Sequence, residues 1–169
     1  RVGFVSQVSN MMENECNSDC VKSYQIHKTQ SVMEKHAELT DDQFEEQFSN
    51  GSLDPAVFSH EAHLRLAWIH INRYGIDKAI ENISAQLQRY VESLGVKDKY
   101  NATVTIAAIR AVYHFMLKSN TKNFDQFIAK NQRLKFTFKE LLSYHYTTDI
   151  FTLERARNEY VEPELLPFD

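Results

Sequence analysis

Ser59-His60-Glu61-Ala62-His63-Leu64-Arg65-Leu66-Ala67-Trp68-Ile69-His70-Ile71-Asn72-Arg73-Tyr74-Gly75 reads as one amphipathic helix, and that reading sets the fold class. Ser59 suits a side-chain N-cap, and Gly75 suits a stop. Taking His63 as zero on a helical projection, Leu64, Ala67, Ile71 and Tyr74 fall at roughly 20° to 100°, with His60 at about 60°. Glu61, Arg65 and Asn72 fall opposite, at roughly 160° to 200°. The projection therefore turns both histidines toward the interior and the charged residues toward solvent. Trp68, at the edge of the apolar stripe, is expected to be largely buried.

The same logic extends in both directions. Thr40 followed by Gln43 makes a capping box for a short helix over Asp41–Phe48, and the proline-bearing segment Ser52–Val57 is a loop. A long helix runs from about Asp77 to Leu94, with Ile80, Ile83, Leu87, Tyr90 and Val91 at core spacing. Asn101 caps a third helix to about Lys118, a shorter helix follows Asn123, and a last helical region spans Phe136 to about Tyr160. No alternation of strand length with hairpin turns occurs. With 4 glycines and 3 prolines in 169 residues, a turn-rich β architecture is disfavoured. The expectation is an all-α, single-domain helical bundle of five or six helices over residues 39–169. Residues 1–38 are weakly patterned and read as a polar N-terminal arm, partly helical around Ser31–Glu38. A chain starting near His36 is therefore expected to melt at almost the temperature of the whole.

Composition narrows the function classes. A hydrophobic content of 43% fits a globular core, and a formal charge of −4 gives no electrostatic footprint for nucleic acid. No apolar run approaches a membrane span. The start, Arg1-Val-Gly-Phe-Val-Ser6, lacks the apolar centre of a signal peptide. Cys16 and Cys20 are too few for a disulfide framework, so free thiols and a cytoplasmic location are expected.

His60 and His63, three apart on one helix, lie close enough to share a metal ion or a substrate. A buried imidazole needs a partner, and a metal, a carboxylate, a ligand or a backbone carbonyl would each serve. Among supporting candidates, His145 shares an inward stripe with Asp149 if the last helix is continuous; a carboxylate there would orient the imidazole. Thr147-Thr148 and Thr152 are positions where that helix could break. Thr105 projects inward and either bonds a carbonyl one turn back or faces a ligand. Tyr100 is a further ligand-binding candidate. His114 falls on a polar face with Thr103, Arg110 and Lys118, and reads as solvated. His27, His36 and His70 have weaker claims. Zincin, nucleophile-elbow, phosphate-loop and dinucleotide signatures are absent, as are the Glu-x-x-His pairs of di-iron bundles.

Phe58-Ser-His60-Glu-Ala-His63-Leu-Arg65-Leu-Ala67-Trp68 resembles the F-x-H-x-x-H-x-R-x-A-W core of a group of small, mostly bacterial all-α proteins of unknown function. Tyr100-Asn-Ala-Thr103-Val-Thr105 is similar to that group's Y-H-x-T-x-T stretch. Ala156-Arg157 with Val161-Glu-Pro163-Glu164-Leu165 is similar to its closing segment. The chain departs at Asn101, where the group tends to carry histidine, and at Glu164, where it tends to carry aspartate. The resemblance implies one intact domain and directs attention to His60 and His63; it supplies no reaction.

Two functions follow as expectations. One is a small metal-dependent or acid–base enzyme acting on a small molecule, with His60, His63 and His145 as catalytic candidates. In its metal form, His60 and His63 are the ligands of a divalent transition metal. The other is a non-catalytic helical interaction or ligand-binding module whose histidines are hydrogen-bonded core residues.

Overall fold

A computed structural model describes residues 34–168. Cys16, Cys20 and His27, with the expectations attached to them, lie outside these residues. The described chain is all-helical, without a strand. A 3-10 turn, Lys35–Glu38, leads into α1 (Asp41–Ser49), α2 (His60–Tyr74) and α3 (Ile76–Ser93). A second 3-10 turn, Lys97–Lys99, precedes α4 (Ala102–Leu117). Four short helices follow: α5 (Phe124–Lys130), α6 (Gln132–Phe136), α7 (Phe138–Ser143) and α8 (Glu154–Asn158).

The start signals act as the side chains dictate. Thr40 Oγ1 accepts from Gln43 N at 3.2 Å while Gln43 Oε1 accepts from Thr40 N at 3.0 Å, completing the capping box of α1. Ser59 Oγ accepts from Ala62 N at the head of α2. Gly75, at φ 78°, takes the left-handed conformation that ends α2 and turns the chain directly into α3.

Helices α2, α3 and α4 pack on one another, with α1 laid across α2 and α3. Between them lies one apolar core that includes Phe44, Phe48, Leu64, Ile69, Ile83, Leu87, Ile109 and Phe127. A smaller cluster of Val104, Ala107, Leu142, Tyr146, Ile150 and Ala156 holds the C-terminal helices on α4. Trp68 is partly buried and borders the core, with its ring edge-on to Phe124. Among the described residues no helix is long and apolar enough to cross a membrane.

Asn101 shows how a cap can also tie elements together. Its Oδ1 accepts from Val104 N at 2.9 Å, and its Nδ2 donates to the Ile150 carbonyl at 2.9 Å, both bonds buried. Asn101→Ala should lower the unfolding free energy by about 2 kcal/mol, because it removes a cap and leaves a buried carbonyl without a donor. Urea unfolding checks this, and a loss below about 0.5 kcal/mol would show that water takes over both roles.

The helical region expected from Phe136 to about Tyr160 is instead the two short helices α7 and α8 with an irregular stretch between them, and Phe136 ends α6. Asp149 Oδ1 accepts from Phe151 N at 3.0 Å, an Asx turn that competes with helix. Thr152 Oγ1 donates to the Asp149 carbonyl in the same turn. His145 and Asp149 therefore do not share a helical face.

Two faces expected to be solvated are buried in part. Thr103 is covered by the C-terminal chain: its Oγ1 donates to the Glu159 carbonyl at 2.8 Å and accepts from Val161 N at 2.9 Å. On α2, Glu61 and Arg65 retain only 8% and 7% exposure, because residues 34–39 and α1 lie over them. Those residues contribute His36, 2% exposed, to the interior. The segment before Leu39 thus makes specific contacts that the sequence reading did not assign to it.

Candidate functional site

The N-terminal turn of α2 gathers the polar side chains. His60 places Nε2 2.8 Å from the Leu134 carbonyl of α6, and its ring lies tilted to Phe138 at a centroid distance of 5.1 Å. His63 places Nδ1 2.8 Å from the Ser59 carbonyl and stacks on Phe58 at 3.8 Å. A carbonyl oxygen only accepts, so each of these nitrogens carries the proton. In the neutral rings the lone pairs then reside on His60 Nδ1 and His63 Nε2.

Both rings are held neutral near pH 7. Burial lowers the His63 pKa to about 4, against the bond to Ser59 and with help from neighbouring His60. Burial also lowers the His60 pKa, opposed by the bond to Leu134 and by the Glu61 carboxylate. The expectation that both imidazoles face a partly apolar interior holds, and the partner each finds is a backbone carbonyl.

Beside them runs a chain of charges. Glu61 Oε1 is 3.6 Å from His36 Nε2, and Glu61 is ion-paired with Lys135 of α6. Lys135 Nζ also reaches Glu34 Oε1 at 3.3 Å, and Glu34 Oε2 accepts from Ser59 Oγ at 3.1 Å. Burial raises the Glu61 carboxyl, but the neighbouring His36 ring and Lys135 ammonium outweigh it and leave its pKa below the ordinary value. Arg65 donates to the carbonyls of His36 and of Leu39, the latter at 2.8 Å. Its Nε and Nη2 meet Asp41 Oδ1 at 3.0 and 2.6 Å, and its guanidinium lies over Phe44.

The supporting candidates lie apart from this cluster or are otherwise engaged. His145 donates from Nδ1 to the Leu166 carbonyl at 2.7 Å and stacks on Phe168, so it serves the C-terminal tail. Asp149 is exposed, with Lys139 3.6 Å away. Thr105 donates to the Asn101 carbonyl at 2.8 Å, one turn back. Tyr100 is half-buried against the main core. His114 is half-buried, with Nε2 2.8 Å from Lys118 Nζ. His70 is fully buried, with Nε2 3.5 Å from Glu45 Oε1.

Among the described residues no three His, Cys, Asp or Glu side chains are gathered as a metal ion requires. Glu61 and Lys135 were missed as participants, and His36 was given only a weak claim. Helical projection sent Glu61 outward, and Lys135 stands too far along the chain for any local pattern to connect it to α2. No family model, curated protein or solved structure matches the chain.

Proposed function

We propose that the N-terminal turn of α2 is an acid–base site for a small molecule, with His60 as the base and His63 as a hydrogen-bond acceptor that orients the substrate. One observation carries this: each ring donates one nitrogen to a carbonyl, so its tautomer is fixed and the other nitrogen is an unprotonated acceptor. A pKa of about 4 makes His63 a weak proton acceptor at neutral pH, which suits holding better than taking. Burial lowers the His60 pKa too, but the Leu134 carbonyl and the Glu61 carboxylate oppose it, which leaves His60 the ring better suited to taking a proton. With no third ligand gathered among the described residues, acid–base chemistry is preferred to a metal centre. The resemblance of Phe58–Trp68 to the histidine motif points to the same turn. The net charge of −4 supports a small molecule over nucleic acid as partner, and the two cysteines support the cytoplasm as location.

The same carbonyl bonds favour a second reading, in which both histidines are satisfied core residues of a non-catalytic module. Diethyl pyrocarbonate, which acylates unprotonated imidazole nitrogens that solvent can reach, separates the two. The folded protein should be modified at His63 with little change in rate from pH 7 to 5.5, whereas a histidine of ordinary pKa slows as it protonates through that range. Absence of modification at both His60 and His63 at pH 7 would mean the lone pairs are sealed, and the module reading would stand.

A further inference from the structure

We propose that Lys135 is the positioning residue of His60: by bridging Glu61 and Glu34 it seats the carbonyl of its neighbour Leu134 on His60 Nε2, and so decides which ring nitrogen is left unprotonated. Helix α6 has only five residues and no side-chain cap at its N-terminus, so it has little means of holding its own position. Its anchors are the buried Leu134 side chain, the Asn131 side chain at its start, which donates to Ser119 Oγ and to the Phe127 carbonyl, and the two ion pairs of Lys135. Carbonyls in the last turn of a helix lack an intrahelical donor. The Leu134 carbonyl finds its donor in His60, 74 positions earlier in the chain.

Both carboxylates that Lys135 bridges belong to the surroundings of the same turn. Glu61 follows His60 directly, and Glu34 accepts from Ser59, the N-cap of α2. One cation thus ties the residue before His60 and the residue after it to α6. Without that tie α6 keeps its apolar anchor but loses the polar one beside His60, so the Leu134 carbonyl is held less closely on the imidazole and the preference for one tautomer weakens. The proposal deepens the acid–base reading and rests on it for its chemical meaning, since a base must present its lone pair to the substrate.

The test is the tautomer of His60, read from ring nitrogen shifts in ¹⁵N-labelled protein at pH 7.5. The parent should show His60 protonated at Nε2 by about tenfold or more, the bias that one hydrogen bond imposes. Lys135→Met should bring the ratio down toward that of an unconstrained histidine, and Lys135→Arg, which keeps the charge, should restore the parent pattern. If Lys135→Met does not fold, Glu34→Gln, which removes one of the two ion pairs, should give a smaller change in the same direction. Lys135→Met with the parent tautomer, or Glu34→Gln with the parent tautomer where the first variant is unfolded, overturns the proposal. A merely structural lysine would alter melting temperature without moving this ratio. Acylation by diethyl pyrocarbonate reports separately on the acid–base reading, so unreactive His60 and His63 with a Lys135-dependent tautomer would defeat that reading and leave this one standing.

Discussion

Arg65→Ala should lower the unfolding free energy by about 3 kcal/mol. The guanidinium serves acceptors from two places at once: the carbonyls of His36 and Leu39, and the carboxylate of Asp41 at the start of α1. Removing it takes one of two donors from the buried His36 carbonyl, which keeps the Leu39 N–H, and takes the donor from the part-buried Leu39 carbonyl, at about 1–3 kcal/mol for a group left unpaired. It also removes packing over Phe44. Asp41 is 39% exposed and regains water when its partner goes, which keeps the loss below the upper range for a fully buried pair. Arg65→Lys should recover less than half, because an ammonium cannot span carbonyls and carboxylate with a planar fork. Chemical denaturation of the three proteins checks this; an alanine variant within 1 kcal/mol of the parent would mean that residues 34–39 are not held by Arg65. A chain starting at Thr40 should show a loss of similar size, since it lacks the same two acceptors.

Acidification should destabilise the protein between pH 6.5 and 4, well before general carboxylate protonation. In the unfolded chain His63 takes up a proton near pH 6.5; in the folded protein it resists until about pH 4. Through that window the unfolded state binds more protons, so stability rises with pH and is lost as pH falls. At about 1.4 kcal/mol per pH unit of separation, and allowing for the ring's partial exposure, His63 contributes about 2 kcal/mol. His60 and His70, both lowered by burial, act with the same sign. Glu61, whose pKa is also lowered, adds a loss at still lower pH, as it protonates. Urea midpoints for the parent and His63→Gln at pH 7.5, 6, 5 and 4.5 provide the measurement. The variant should start less stable and show a flatter decline; parallel declines would show that the His63 ring titrates as it does in the unfolded chain.

The start signals of the early helices were legible in sequence because each is a local event. Thr40, Ser59 and Asn101 cap helices whose first residues lie within three positions of them, and Gly75 stops α2 at the one place where a positive φ is needed. The core face of α3 followed from spacing alone, as Ile83, Leu87, Tyr90 and Val91 are buried. The last third of the chain was less legible, because an Asx turn at Asp149 and an apolar helical pattern compete on nearly equal terms.

The sequence by itself determined the helical class, the caps, and the inward turn of His60 and His63, since these depend on period and on neighbours a turn away. Only the tertiary structure decided what the other side of α2 does. A helical projection sorts residues by polarity and assumes that polar means solvated, yet Glu61 and Arg65 are buried because residues 34–39 and Lys135 bring countercharges and carbonyls to them. Thr103 is buried for the same reason, by a chain segment more than fifty residues away. Burying a charge is tolerated when its partners arrive with it, and those partners come from parts of the chain that no local pattern relates.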